Sequence, residues 1–208
     1  MFNKTLIVTF IGISLFFMGC DSSSSAEEFN DQFSDLLHDT SVEELAKKSM
    51  IRKEVNETYA IQIPSDLTMT NSLDDDASLQ YNNLYSEKYI IVIDEDKALF
   101  EDAMNEADLY DDDMSLIGNF AEIQLSSFSE GVTIISQSNV VKTKVNGLDA
   151  HLYAFDARIA GIDFDISYWI GYILGSERLY SVMAWTLESL KGNYESEANA
   201  ILKSLEEL

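Results

Sequence analysis

The segment from Val132 to Thr186, VTIISQSNVVKTKVNGLDAHLYAFDARIAGIDFDISYWIGYILGSERLYSVMAWT, decides the fold of this chain. Asn146-Gly147 is the strongest short hairpin signal, because a type I′ turn needs positive φ at both central residues. A strand from about Val132 to Val145 therefore turns there and returns as LDAHLYAFDAR. A second turn near Ala160-Gly161 leads into IDFDISYWIGYI, and Gly175-Ser176 leads into RLYSVMAWT. These read as four consecutive antiparallel strands. Several are apolar on both faces, SYWIGYIL most clearly, which predicts a sheet covered on both sides.

Upstream, TYAIQIP from Thr58 alternates and stops at Pro64, the only proline, while SLQYNNL and KYIIVIDE read as two more strands. Leu99, Phe100, Ala103, Met104 and Ala107 then recur at helical spacing. After the YDDD interruption, Met114, Ile117, Ala121, Leu125 and Phe128 make a second stripe ended by Gly131. A closing helix is predicted from Leu190, Tyr194, Ala198, Ile201, Leu202 and Leu205. The expected fold class is α+β, an antiparallel sheet of about six to seven strands between helical layers.

The order of a strand closed by proline (YAIQIP), a middle helix, a strand running through VNGLDAHLYAF, two long strands and a last helix ending ILKSLEEL resembles the PsbP-like fold. That group includes the PsbP proteins of photosystem II, the import factor Mog and bacterial lipoproteins of the DcrB type. The resemblance spans Val55 to Leu208. It implies an α-β-α sandwich and members that bind other proteins, and it carries over no active-site residue.

The N-terminus supplies a different kind of information. Lys4 precedes an apolar run from Leu6 to Met18, too short for a comfortable membrane span of about 20 residues and suited to a secretion signal. Gly19-Cys20 resembles the bacterial lipobox, whose cysteine is acylated and becomes the new N-terminus; Phe17 and Met18 depart from the usual pattern. Cys20 is the only cysteine in 208 residues, so no disulfide is available to it within the chain. Two or three acyl chains make a lasting anchor without basic residues.

The expected organisation is a lipoprotein signal peptide over 1–19, lipidated Cys20 with a Ser-rich acidic tether over 20–40, a short helix and linker over 41–54, and the PsbP-like domain over 55–208. Ser41 and Glu44 have capping-box spacing and predict that helix.

With 13 Lys and Arg against 37 Asp and Glu, the formal net charge is -24. Such a surface repels nucleic acid, whose binding depends on Lys and Arg displacing counterions. It likewise repels anionic lipid headgroups, so membrane attachment falls to the lipid on Cys20.

Candidate chemistry is sparse. His38 lies near the tether and His151 in a strand beside Tyr153 and Phe155, a packed or edge histidine rather than half of a metal site. No thiol remains for a nucleophile, and no Gly-x-Ser-x-Gly elbow, Walker motif or dinucleotide fingerprint occurs. Asp111, Asp113, Ser115, Asn119 and Glu122 match positions 1, 3, 5, 9 and 12 of a calcium loop. The sixth position is Leu116 where that loop needs glycine. Asp112 or Asp113 as a helix N-cap accounts for the same acids. Asp163 and Asp165 would share one strand face about 7 Å apart, most simply as a solvated pair. Trp169 and Trp185 are expected in the core.

No catalytic, cofactor or metal residue is assigned, and Cys20 is the one site. The sequence predicts a lipid-anchored protein on the extracytoplasmic side of a bacterial membrane, inner or outer, acting without catalysis as a protein-binding or assembly module on an envelope partner. The rival expectation is an extracytoplasmic ligand or divalent-cation binder that uses the acidic loops.

Overall fold

The computed structural model describes residues 50–208. Cys20, the leader, the tether and the expected helix at Ser41–Ser49 lie outside the described residues.

The elements run β1 (Met50–Val55), β2 (Tyr59–Pro64), β3 (Thr68–Met69), β4 (Leu79–Asn83), β5 (Lys88–Asp96), α1 (Lys97–Glu106), α2 (Leu116–Glu130), β6 (Val132–Gln137), β7 (Val141–Val145), β8 (Leu148–Ile159), β9 (Asp165–Leu174) and β10 (Arg178–Leu187). A 3-10 turn (Glu188–Leu190), α3 (Lys191–Leu202) and β11 (Glu206–Glu207) follow. The main sheet is antiparallel in the order β3-β4-β5-β10-β9-β8, with β6 and β7 both pairing with β8. A small separate sheet has the order β1-β2-β11. No described helix is long and apolar enough to cross a membrane.

Both faces of the main sheet are buried, as the two-faced apolar strands require. On one face, Val182, Ala184, Trp169, Ile173 and Leu152 meet Tyr194, Ala198, Ile201 and Leu202 of α3 and Tyr59, Ile61 and Ile63 of β2. Gly171 permits this close approach, because a Cβ there would press on Leu152 and on Leu202 at 3.2 and 3.3 Å. On the other face, Phe100 and Met104 of α1 and Ile117, Phe120, Ala121 and Phe128 of α2 cover an aromatic layer.

Within that layer, Tyr89, Trp185, Tyr168 and Phe155 stand directly opposite one another on β5, β10, β9 and β8. The successive rings stack with centroids 5.3, 6.4 and 5.4 Å apart. Such cross-strand pairs contribute roughly 0.5–1.5 kcal/mol each beyond their area. Trp169 and Trp185 are both buried, as expected.

The turn at Asn146-Gly147 has φ of 48° and 92°, the positive pair that a type I′ turn needs. Other details differ from expectation. The strand foreseen from Val132 to Val145 is two, β6 and β7, with a register shift after Ile134 and a break over 138–140. Ser138 bridges the break, its N–H donating to the Ala154 carbonyl and its hydroxyl accepting the Ala154 N–H.

Residues 50–54, foreseen as linker, belong to β1 and pair with β2. The last helix ends at Leu202, and Glu206-Glu207 turn back as a strand against Ala60 and Tyr59. Leu99 sits on α1 but is 69% exposed, outside the core stripe.

Candidate functional site

The acidic segment forms no cation cage. Ser115, not Asp112 or Asp113, is the N-cap of α2, its hydroxyl accepting the Gly118 N–H at 3.2 Å. Asp111 Oδ1 accepts the Asp113 N–H, and the Asn119 side chain both accepts from the Asp111 N–H and donates to its carbonyl. Three of the five calcium-loop oxygens are thus used in local turns and caps, and Leu116 opens the helix. Among the described residues no cluster of three metal-ligating side chains occurs.

The Asp163–Asp165 pair is likewise dispersed. Asp163 lies in the turn before β9, while Asp165 holds Arg158 in a two-point pair at 2.6 and 2.8 Å. Asp156, buried on β8, accepts from Ser167 (2.6 Å), Ser136 (2.7 Å) and Lys191 (3.1 Å). It is a structural carboxylate with its lone pairs taken.

Two features remain open to solvent, and sequence reading missed both as sites. The first is a groove of about 440 Å³ between α2 and the strands β6, β7 and β8. Gly118, Glu122, Leu125, Ser126 and Ser129 form its helical wall, one stripe at i, i+4, i+7, i+8 and i+11. His151, Tyr153 and Lys142 lie on the sheet side, with Ile134, Gln137 and Val140. His151 is only 7% exposed and lies opposite Lys142 in the β7–β8 register. Burial, and next the Lys142 charge, push its imidazole below the ordinary histidine value, with Asp149 opposing. Both effects favour the neutral ring. The packed histidine foreseen in the sequence is there, on the floor of a groove.

The second feature is the β4–β5 turn. The strand read through Leu84 ends at Asn83, whose Oδ1 accepts the N–H groups of Tyr85 and Ser86 at 3.1 and 3.2 Å. Its Nδ2 donates to the Asp66 carbonyl at 3.0 Å, and Glu87 closes the turn at φ 55°. The result is a braced tip bearing Leu84, 64% exposed, and Tyr85, 99% exposed. Asn-Asn before two apolar residues was the available signal, since asparagine side chains organise turns.

No protein-family model matches the sequence, and no curated protein matches it. Among solved structures, the solution structure of cyanobacterial PsbP (CyanoP) from Synechocystis sp. PCC 6803 is similar over 77% of this chain and 93% of that one, with 11% sequence identity and a TM-score of 0.50. A Pseudomonas aeruginosa protein of unknown function aligns over 70% of this chain and 88% of its own at 12% identity. Its TM-score is 0.38. The antiparallel sheet between helical layers and the CyanoP likeness together give this chain a PsbP-like fold.

Proposed function

We propose that this chain is a bacterial lipoprotein, held on the extracytoplasmic side of a membrane by acyl chains on Cys20, and that it works by binding an envelope protein rather than by catalysis. The anchor rests on the sequence: a short apolar leader, Gly19 before a lone cysteine, and a Ser-rich acidic tether behind it. Protein binding rests on one observation, the Leu84–Tyr85 tip. A large apolar pair on a turn fixed by its own hydrogen bonds loses little entropy on docking, and tyrosine is enriched among residues that dominate binding energy. The tip stands out because Asn83 satisfies the turn backbone locally, leaving Leu84 mostly and Tyr85 wholly uncovered by the other described residues.

The test is photo-crosslinking in intact cells that make the full chain. A crosslinking amino acid in place of Tyr85 should give a discrete protein adduct in the membrane fraction, and one in place of exposed Leu109 should not. Absence of any protein adduct at position 85 overturns the reading. The anchor is tested separately: Cys20→Ser should abolish incorporation of labelled palmitate, and a labelled Ser variant would refute it.

A further inference from the structure

We propose that the groove between α2 and the β6–β8 edge binds a small zwitterion with an apolar body, an apolar amino acid or a short apolar peptide, with its carboxylate at Lys142 and His151 and its ammonium at Glu122. This goes beyond the protein-binding reading and does not depend on it, since the groove and the Leu84–Tyr85 tip belong to different edges of the sheet.

Three observations converge on the cationic end. His151 is more than nine-tenths buried, lines the groove, and makes no hydrogen bond to another described residue. Neither ring nitrogen is sealed from solvent, so the ring's N–H and lone pair are open to a ligand in the groove. Its Cε1 lies 3.9 Å from where a Cβ on Gly118 would stand, so the absence of a side chain at position 118 keeps the space above the ring open. Lys142, directly opposite on β7, has no carboxylate partner among the described residues, whereas Lys144 is paired with Asp149 at 2.6 Å.

The local charge is unlike the rest of the chain. From Gly131 to Leu148 there is no carboxylate, in a protein with 37 of them. Anions repelled elsewhere on the surface meet an uncompensated ammonium here.

The other pole stands one helical turn along α2. Glu122 follows Gly118 at i+4 and lies near enough to Tyr153 for its charge to hold the phenol above its ordinary pKa, after the larger effect of burial. Residues i and i+2 on β8 place Tyr153 about 7 Å from His151. A simple fatty acid would leave the Glu122 carboxylate facing its chain, whereas an ammonium beside the ligand carboxylate uses both charges. Beyond Glu122, Leu125 and Ile134 offer an apolar floor with Ser126 and Ser129 as small wall residues. The groove volume falls within the range of small-ligand sites, roughly 300–1,000 Å³.

The experiment titrates the purified full-length protein in detergent with L-phenylalanine, and in a second arm with the dipeptide Leu-Phe. The chain has two histidines, so the His151 ring signals in NMR are assigned with a His38→Gln variant. Saturable movement of the His151 signals is expected in at least one arm, and the arm with the tighter binding identifies the free amino acid or the peptide as the source of the zwitterion.

Phenethylamine, which lacks the carboxylate, and 3-phenylpropionate, which lacks the ammonium, should each bind about tenfold or more weakly than L-phenylalanine, the scale of one lost charge-assisted contact. Lys142→Ala should remove the advantage of L-phenylalanine over phenethylamine, and Glu122→Gln its advantage over phenylpropionate. Ser126→Trp, at an exposed position, should block binding with the circular dichroism unchanged. No movement of the His151 signals at millimolar ligand in either arm overturns the proposal, as does equal binding of the analogues that lack one charge.

Discussion

The side-chain amide of Asn146 donates to the Leu205 carbonyl across 2.8 Å, with a longer bond to the Lys203 carbonyl at 3.4 Å. The β7–β8 turn is therefore tied to the segment that follows α3. Asn146 does two jobs, taking the positive φ of the turn and supplying this tie. Asn146→Gly keeps the backbone freedom and loses the tie, so it should cost about 1 kcal/mol in chemical denaturation. Gly147→Val, at φ 92° with open space around the added Cβ, should cost a kcal/mol or more through backbone strain alone. Equal stability of both variants and the parent would refute this account of the turn.

Tyr168 sits in the middle of the aromatic row with its hydroxyl buried and without a hydrogen-bond partner. Burial drives its pKa well above the ordinary tyrosine value. Tyr168→Phe keeps the stacking on Phe155 and removes an unsatisfied polar group. Thermal unfolding should show an unchanged or raised midpoint, up to about 1 kcal/mol of added stability. A marked loss would mean that the hydroxyl has a partner after all.

Glu195 on α3 is 8% exposed, and its Oε1 has no hydrogen-bond partner. Burial raises its pKa above the usual carboxylate value; Lys191 pulls it down and Asp156 pushes it up. The folded state thus holds this proton more tightly than the unfolded chain does. The ionised carboxylate weakens the fold fully at neutral pH, and the effect fades as pH falls through the folded pKa to the ordinary carboxylate range. Glu195→Gln should raise the melting temperature at pH 7, with the difference from the parent shrinking towards pH 4. A difference that is constant with pH would show that ionisation is not the cause.

The acidic segment before α2 gives a further expectation. With Asp111, Ser115 and Asn119 engaged in caps and turns, added calcium should shift the melting temperature no more than magnesium at matched ionic strength, through screening of the net charge. A saturable, calcium-selective shift, lost when Asp111, Asp113 and Glu122 are neutralised together, would restore the cation-binding alternative.

What the sequence made legible was whatever local chemistry dictates. Asn146-Gly147 announced its turn because few dipeptides tolerate two positive φ angles, and the two-faced apolar strands announced covering layers. The break at Ser138 was harder to see: a polar run inside an alternating pattern reads as an exposed strand face, and only the geometry of β8 decides that it is a kink. Any of several polar residues in DDDMS can cap a helix, and the burial of Ile117 and Phe120 selects Ser115. Glu206-Glu207 has no strand character of its own and pairs because β2 leaves an edge open beside it. The groove draws on α2, β6, β7 and β8, so alternation could say which way His151 points but not that a helix would stand across from it.

The pairing of β11 with β2 bears on when the domain can assemble. Tyr59, Ile61 and Ile63 emerge among its first residues, yet they are covered by α3, and β2 gains its second neighbour only at Glu206–Glu207. While a chain is made from its N-terminus, β2 stays uncovered until α3 and Glu206–Glu207 have followed it. Contacts of such long sequence separation make folding slow, on the scale of milliseconds to seconds, because the entropy of closing the loop must be met before they form. The topology thus favours a polypeptide whose β2 is completed in a late folding step, once α3 and Glu206–Glu207 are in place.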